Sequence, residues 1–183
     1  MAEKNLLVTG GAASIGRHFI RMVLSEHSDS FVVNLDKLTY AGNLENLAEF
    51  RNNANYRFVK ADICDGPLIE KIIEEHRIDT IINFAAESHV DRSIDEPKVF
   101  IDTNVTGTLT LLQVARDKGI DRFIQVSTDE VYGALGPEGL FAEQTPLSPN
   151  SPYSASKASA DLLVKAFGHT WGLKYNITRC SNN

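Results

Sequence analysis

The chain has 183 residues, of which 43% are hydrophobic and 23% are charged, so it can bury the core of one globular domain but not of two large ones. Its 18 basic and 24 acidic side chains give a net charge of −6, which argues against a nucleic acid or an anionic membrane surface as a partner. Cys64 and Cys180 belong to no C-x-x-C or Cys/His cluster, so we expect reduced cysteines, no metal site and a cytoplasmic protein. No apolar run approaches the roughly 20 residues of a membrane span.

Short apolar runs alternate with helix-like patterns along the whole chain. The runs predict six strands, at residues 6–8, 31–35, 56–59, 80–84, 122–127 and 174–178. Apolar stripes at helical spacing predict helices at residues 15–25, 67–76, 99–118 and 153–171. Because parallel strands are joined by right-handed helical crossovers, this order predicts a doubly wound (Rossmann) α/β sheet with helices on both faces. We expect residues 1–183 to form a single domain.

A glycine-rich turn joins the first predicted strand to the first predicted helix. Gly10 and Gly16 have the outer spacing of a G-x-x-G-x-x-G fingerprint, and Ala13 occupies the middle position. Such a turn presents backbone N–H groups and a helix N-terminus to a pyrophosphate. The methyl group of Ala13 is expected to crowd that phosphate, because glycine is the residue that lets the backbone approach a ligand most closely.

An aspartate, Asp36, ends the second predicted strand about 20 residues after the last glycine of the turn. A carboxylate there accepts hydrogen bonds from the two ribose hydroxyls of a dinucleotide and repels a 2′-phosphate, which predicts NAD rather than NADP. Asp62 and Ile63 follow the third strand and are expected to border the adenine. The alternative for Asp36 is a strand-end turn residue with no ligand.

The pair Tyr153 and Lys157 lies one turn apart on the last predicted helix. A lysine charge about 4 Å away is worth about 4 kcal/mol at an effective dielectric of 20, so we expect it to lower the phenol pKa from about 10 toward neutrality. Thr128, Asp129 and Glu130 directly follow the fifth strand, where ligands bind in open α/β folds. The alternatives are an ordinary surface-helix pair and a solvent-exposed Asp-Glu turn.

These motifs together resemble the extended short-chain dehydrogenase/reductase family. The adjacent acids Asp129 and Glu130 make the chain similar to the dTDP-glucose 4,6-dehydratases, because the sugar epimerases of the family usually lack them. The chain departs from the family at Ala13 and Ser14, where the family has Gly-Phe. Three further segments resemble the same enzymes, at residues 36–43, 84–93 and 178–183.

The resemblance implies an NAD-dependent nucleotide-sugar dehydratase and assigns a role to each site residue. Tyr153, with Lys157 beside it, takes the proton of the sugar 4-hydroxyl, which Thr128 holds. Glu130 then removes the C5 proton, and Asp129 protonates the departing 6-hydroxyl. The implied cofactor-binding residues are Gly10, Ala13, Ile15, Gly16, Asp36, Lys37, Leu38, Thr39, Asp62, Ile63, Ala85, Ala86, Ser88, Thr103, Tyr153, Lys157 and Asn183. The implied substrate contacts are Ser88, Thr128 and Asn182.

Three alternatives remain open from the sequence. The first is a cofactor-binding fragment without turnover, since family members have a C-terminal substrate domain beginning just past residue 183. The second is a UDP-sugar epimerase or decarboxylase of the same family, and the third is a nucleotide-sensing interaction protein. The resemblance also implies a homodimer that pairs through the predicted helices at residues 99–118 and 153–171.

Overall fold

A six-stranded parallel sheet forms the centre of the computed structural model, which describes residues 4–181. Its strands lie in the order β3-β2-β1-β4-β5-β6, and all neighbouring pairs are parallel. The strands are β1 (Asn5–Thr9), β2 (Phe31–Asp36), β3 (Tyr56–Lys60), β4 (Thr80–Asn83), β5 (Arg122–Thr128) and β6 (Tyr175–Cys180). The predicted doubly wound α/β sheet is therefore confirmed.

The helices agree with the predicted ones, with additions in the second half of the chain. They are α1 (Ser14–Glu26), α2 (Gly66–His76), α3 (Val90–Asp95), α4 (Pro97–Phe100), α5 (Thr108–Asp117) and α6 (Pro152–Trp171). A π-helical segment, Ile101–Gly107, joins α4 to α5 within the stretch predicted as one helix. The sequence patterns do not predict α3 or the 3-10 segments Leu44–Phe50 and Asp129–Tyr132. Across residues 4–181, the helices lack the length and apolarity to cross a bilayer.

Helices cover both faces of the sheet because neighbouring strand residues point to opposite sides. Leu7 of β1 packs with apolar side chains of α2, α5 and α6, whereas Val8 packs with α1 and the 3-10 segment Leu44–Phe50. Both side chains are completely buried. Burial on both faces accounts for the continuous apolar runs from which the strands are predicted.

The start of α6 is fixed by several contacts, which also fix the side chains that the helix carries. The side chain of Ser151 accepts a hydrogen bond from the N–H of Ser154, and the Ser154 hydroxyl accepts one from the N–H of Ser151. Pro152 occupies the first helical turn, where its missing N–H is harmless. The Tyr153 N–H donates to Ser93 Oγ of α3 at 3.1 Å.

The sheet order changes direction at β1, which has β2 on one side and β4 on the other. In open α/β sheets a crevice forms at such a point, outside the carboxyl ends of the strands. The predicted site residues follow β1, β2, β4 and β5, so the fold brings them to the same edge of the sheet.

Candidate active site

An open cleft lies at the carboxyl ends of the central strands. The residues that line it are Gly10, Ala13, Leu35, Asp36, Lys37, Thr39, Ala41, Gly42, Ala61, Asp62, Ile63, Phe84, Ala85, Ala86, Glu87, Val99 and Thr103. The predicted cofactor-binding residues among them are Gly10, Ala13, Asp36, Lys37, Thr39, Asp62, Ile63, Ala85, Ala86 and Thr103. The residues that the sequence analysis does not predict are Leu35, Ala41, Gly42, Ala61, Phe84, Glu87 and Val99.

The glycine turn after β1 forms the floor of this cleft. Gly10 has φ +69°, and its N–H donates to the Leu35 carbonyl at 2.9 Å. A Cβ atom at Gly10 would lie 2.6 Å from the Ala85 backbone nitrogen, so only glycine fits between the turn and the loop after β4. Ala13 is the N-cap of α1 in an ordinary extended conformation, with φ −84° and ψ 176°.

The N-terminus of α1 is available to an anion. Among residues 4–181, no side chain caps the start of α1, and the first helical turn contains no acidic residue. Within the part of the chain that the structure describes, the N–H groups at the start of α1 therefore receive no side-chain cap, and the positive end of the helix dipole remains open to a ligand. This is the arrangement with which helix N-termini bind phosphate.

Two predicted pyrophosphate residues lie beside the cleft and do not line it. Ile15 is on the first turn of α1 with an exposed side chain, so only its backbone faces the turn region. Gly16 is buried, and a Cβ atom there would lie 2.5 Å from the Gly10 carbonyl oxygen. Gly16 thus lets the helix pack closely against the turn, a structural role.

Asp36 is held by two backbone hydrogen bonds at the cleft wall. Its Oδ2 accepts from the Ala12 N–H at 2.9 Å, and its Oδ1 accepts from the Leu38 N–H at 2.8 Å. Leu38 adopts φ +58° and does not line the cleft; its backbone turns the loop so that Lys37 and Thr39 do. The carboxylate is therefore oriented before any ligand binds, and each oxygen retains a free lone pair.

Lys37 and Asp62 pair across the mouth of the cleft. Lys37 Nζ lies 2.6 Å from Asp62 Oδ2, and Asp62 Oδ1 accepts the Cys64 N–H at 3.0 Å. The hydrogen bond and the charge of Asp62 raise the pKa of Lys37. The pair leaves one cation and one anion beside the predicted adenine position, which Ile63 also borders.

The loop after β4 is fixed by Asn104, a residue that the sequence analysis does not single out. Asn104 Oδ1 accepts the Glu87 N–H at 2.9 Å, and its Nδ2 donates to the Glu87 carbonyl at 3.0 Å and to Ser156 Oγ at 2.8 Å. Asn104 thereby ties the cleft loop to α6. The sequence carries no signal that marks it, because Asp102, Thr103 and Thr106 beside it are also polar. Ser88, predicted to contact cofactor and substrate, is exposed outside the cleft.

The turn that follows β5 carries the predicted acids. Thr128 ends β5 and caps the 3-10 segment Asp129–Tyr132, because its Oγ1 accepts the Glu130 N–H at 3.2 Å. The same hydroxyl donates to Asp129 Oδ1 at 3.3 Å. Partial burial and the neighbouring Asp129 charge raise the pKa of Glu130. A carboxylate with a raised pKa is a stronger base near neutral pH.

Tyr153 lies against this turn and is only 8% exposed. Burial raises the pKa of its phenol to about 12, while a hydrogen bond with Thr128 opposes the rise and the charges of Glu130 and Asp129 add to it. Thr128, Asp129 and Glu130 are therefore the predicted catalytic residues that act on the phenol. Asp129 also lines a separate cavity, together with Tyr132 and Arg179.

Lys157 is directed elsewhere, contrary to the expectation that it lowers the phenol pKa. Its Nζ donates to the Val126 carbonyl at 2.7 Å. Burial lowers the pKa of Lys157 to about 8, and the charge of Asp161 partly opposes this. The phenol pKa is therefore raised, because burial and the nearby acidic groups outweigh the hydrogen bond with Thr128, and Lys157 is not among the groups that shift it. Neither Tyr153 nor Lys157 lines the cleft itself.

A family model described as GDP-mannose 4,6 dehydratase matches residues 7–183. The chain belongs to this family. The match to the GDP-mannose 4,6 dehydratase family covers the cleft and the predicted catalytic turn together, so both are parts of one family pattern.

Curated relatives of the chain within the family are similar over nearly its whole length. A dTDP-glucose 4,6-dehydratase of Xanthomonas campestris is 55% identical over 186 residues, covering 97% of this chain and 52% of the relative. The dTDP-glucose 4,6-dehydratase of Neisseria gonorrhoeae is 48% identical over 99% of this chain and 55% of the relative. The predicted resemblance to dTDP-glucose 4,6-dehydratases is confirmed, and the chain spans about half the length of these relatives.

Solved structures show the same fold. The dTDP-glucose 4,6-dehydratase of Bacillus anthracis, in complex with NAD, has a TM-score of 0.90 and 48% identity over 98% of this chain and 55% of that one. A UDP-glucose 4-epimerase of Thermotoga maritima, with UDP-glucose, has a TM-score of 0.86 and 33% identity over 96% and 54%. The fold is thus shared with epimerases, and the identity is higher to the dehydratase.

Two predicted site residues, Asn182 and Asn183, lie outside the described residues. The strand that leads to them, β6, runs beside β5, with Cys180 opposite Thr128. Cys180 Sγ contacts the Ser127 carbonyl at 3.9 Å. The last described residues of the chain therefore lie next to the predicted catalytic turn.

Proposed function

We propose that the protein is an NAD-dependent dTDP-glucose 4,6-dehydratase, which converts dTDP-glucose into dTDP-4-keto-6-deoxyglucose and water. The observation that carries the proposal is that Thr128, Asp129 and Glu130, hydrogen-bonded to one another in the turn after β5, all act on the phenol of Tyr153. The reaction needs a base at the sugar C4 hydroxyl and an acid–base pair at C5 and C6. The similarity to dTDP-glucose 4,6-dehydratases supports the same substrate.

The cleft fits a dinucleotide. The uncapped N-terminus of α1 and the close backbone at Gly10 suit the pyrophosphate, and the preoriented carboxylate of Asp36 suits the ribose hydroxyls. Lys37 and Asp62 would flank the adenine end, and Ala85 and the rest of the loop after β4 the nicotinamide end. NAD supplies one kind of chemistry when bound: it accepts a hydride from C4 and returns it to C6.

The residues of the turn divide the proton transfers between them. Tyr153 takes the proton of the 4-hydroxyl in its phenolate form, which the positive nicotinamide of bound NAD would favour against the raised pKa of the phenol, and Thr128 positions that hydroxyl through its own. The C4 ketone acidifies the C5 proton, which Glu130 removes, and its raised pKa suits that task. Asp129 protonates the departing 6-hydroxyl, which leaves as water, and Glu130 returns a proton to C5 when C6 is reduced.

The proposed function can be tested with the natural protein that contains this chain. The protein is incubated with dTDP-glucose and NAD, and the sugar product is identified. We expect the 4-keto-6-deoxy sugar as product. A C4 epimer would instead support the epimerase alternative, and NAD binding without any product would support a fragment or a nucleotide sensor.

The variant Glu130→Gln is expected to stop the reaction after oxidation. Glutamine keeps the side-chain shape but cannot accept the C5 proton, so NADH should accumulate while formation of the 4-keto-6-deoxy product falls about 10²–10⁴-fold. Rapid-mixing measurement of NADH absorbance, with product analysis of the same samples, checks both halves. Normal water elimination by this variant would contradict the assignment of Glu130 as the base.

The variant Ala13→Gly is expected to bind NAD several-fold more tightly. Ala13 lines the cleft at the N-cap of α1, where its methyl lies beside the proposed phosphate position, and its φ of −84° imposes no strain that glycine would relieve. Calorimetric titration with NAD measures the change, and thermal unfolding of both proteins separates binding from stability. Equal dissociation constants would show that the methyl does not crowd the phosphate.

We further propose that residues 1–183 form one cofactor-binding domain and that the protein is cytoplasmic. The cysteines are free in the part of the chain that the structure describes, which suits a reducing compartment.

We also propose that the protein is a homodimer. Leu162 on α6 and Ile101 beside α4 are large apolar side chains left exposed, which supports pairing through these helices. Light scattering that returns the mass of one chain at micromolar concentration would contradict the dimer.

A further inference from the structure

A buried ion pair lies behind the candidate active site. Arg179 Nε on β6 donates to Asp161 Oδ2 on α6 at 2.9 Å, and Asp161 is completely buried. Within the described part of the chain, Asp161 Oδ1 has no hydrogen-bond partner. Burial raises the pKa of Asp161, and the hydrogen bond from Arg179 opposes the rise. A buried pair of this kind is weak evidence for stability, since well-packed apolar residues often serve as well.

Arg179 connects the pair to the turn that carries the acids. Its NH1 donates to the Tyr132 hydroxyl at 2.8 Å, and its guanidinium lies 5.0 Å from the centre of the Tyr132 ring. Tyr132 ends the 3-10 segment that contains Asp129 and Glu130. Displacement of Arg179 would therefore move the Tyr132 ring and, with it, the segment that carries Asp129 and Glu130.

Asp161 connects the pair to the lysine. It lies one helical turn after Lys157 on α6, and both side chains are buried toward the sheet. The charge of Asp161 favours the charged form of Lys157, against the burial that disfavours it. The Asp161 carboxylate thus interacts with two cations: it contacts Arg179 directly, and its charge acts on Lys157 one helical turn away.

We propose that Asp161 and Arg179 are positioning residues for the reaction, which hold the charged lysine of α6 and the acid-bearing turn after β5 in one arrangement. The proposal rests on the proposed function for its catalytic meaning. Its electrostatic part can be tested without catalysis, because it requires that Asp161 and Arg179 shift the pKa of Lys157 in opposite directions. Asp161 stabilises the lysine charge, whereas Arg179 shares the same carboxylate and adds a second positive charge that disfavours the charged lysine.

The test is the titration of Lys157, followed by NMR of the labelled lysine side chain in the natural protein, with Lys157→Met to assign the signal. Asp161→Asn keeps the shape but removes the charge, so it should lower the Lys157 pKa by about one pH unit. Arg179→Met removes a second positive charge from the shared carboxylate and should raise the Lys157 pKa. Arg179→Lys keeps a cation and should restore a value near that of the unmodified protein. No movement in either Asp161→Asn or Arg179→Met would overturn the proposal.

The matched control is Asp117→Asn, which removes an exposed carboxylate paired with Arg116 at 2.7 Å and should leave the Lys157 titration unchanged. If Arg179→Met does not fold, the double variant Asp161→Asn with Arg179→Met replaces the ion pair by two neutral groups. Its Lys157 pKa should then lie above that of Asp161→Asn alone, and an equal value would contradict the proposal.

Catalysis provides a second readout. With dTDP-glucose, Asp161→Asn should lower kcat about tenfold with little change in KM, and the pH profile should move in the direction of the Lys157 titration. An unshifted pH profile would contradict the catalytic role. If the unmodified protein gives no dehydrated sugar while the titrations move as expected, the proposed function fails and the pairing is supported.

Discussion

Replacing Tyr153 with phenylalanine is expected to lower kcat about 10³-fold, because the variant lacks the phenol oxygen to which we assign the proton of the 4-hydroxyl. The ring should stay in place, since its edge contact with Phe100 and the hydrogen bond from its N–H to Ser93 do not involve the phenol. NAD affinity should therefore be nearly unchanged. Unlike Glu130→Gln, this variant should form neither NADH nor product in a single turnover.

The phenol titration supplies an independent check on Tyr153. Without cofactor its pKa is about 12, and a positive ring placed beside it favours the phenolate, so NAD should lower the pKa. Ultraviolet difference spectra recorded against pH, with and without NAD, should contain this transition in the unmodified protein and lack it in Tyr153→Phe. Tyr175→Phe, which changes an exposed residue of β6, is the matched control. Normal turnover by Tyr153→Phe would remove the phenol from the mechanism.

The sheet and its helices could be predicted because each depends on short-range patterns. Leu7 and Val8 are both apolar since both faces of β1 are covered, and a run of that kind separated by helical stripes has few other solutions. Asp36 could be placed for the same reason, because a residue at a strand end must lie at the sheet edge. Its backbone partners Ala12 and Leu38 follow from the turn geometry around it.

The electrostatics of the site could not be predicted, since they depend on contacts between distant segments. The spacing of Tyr153 and Lys157 correctly indicates that they are neighbours on a helix. It does not indicate that the Val126 carbonyl of β5 accepts a hydrogen bond from the lysine ammonium. The ion pair of Asp161 could not be predicted either, because its partner Arg179 lies 18 residues away on another element. Direction and magnitude of a pKa shift require such partners to be known.

Asn104 illustrates the same limit for backbone geometry. The helical pattern at residues 99–118 predicts a helix, but one asparagine hydrogen-bonds Glu87 and Ser156 from two other elements, within a stretch that is π-helical. π-helical turns inside longer helices are frequent at functional sites. The periodicity of apolar residues indicates which face of a helix is buried, but it does not indicate which residues of other segments contact that face.

The largest effect on binding is expected from Gly10→Ala. Alanine at a φ of +69° costs about 1–2 kcal/mol from the left-handed conformation alone, and its Cβ would overlap the Ala85 backbone nitrogen at 2.6 Å. Since the overlap is with main chain, the turn or the loop after β4 must move, and both line the proposed cofactor cleft. We expect NAD affinity to fall at least about tenfold, a change of about 1.4 kcal/mol or more.

Gly119→Ala separates the two causes of that loss. Gly119 has nearly the same φ, +66°, but a Cβ there meets no atom within 4 Å among the described residues. It should therefore lose only the conformational part of the unfolding free energy, measured by urea titration, and keep the NAD affinity of the unmodified protein. A Gly10→Ala protein that matched Gly119→Ala in both measurements would mean that the turn and the loop after β4 can separate freely. The close contact of Gly10 with Ala85 would then have no part in shaping the phosphate site.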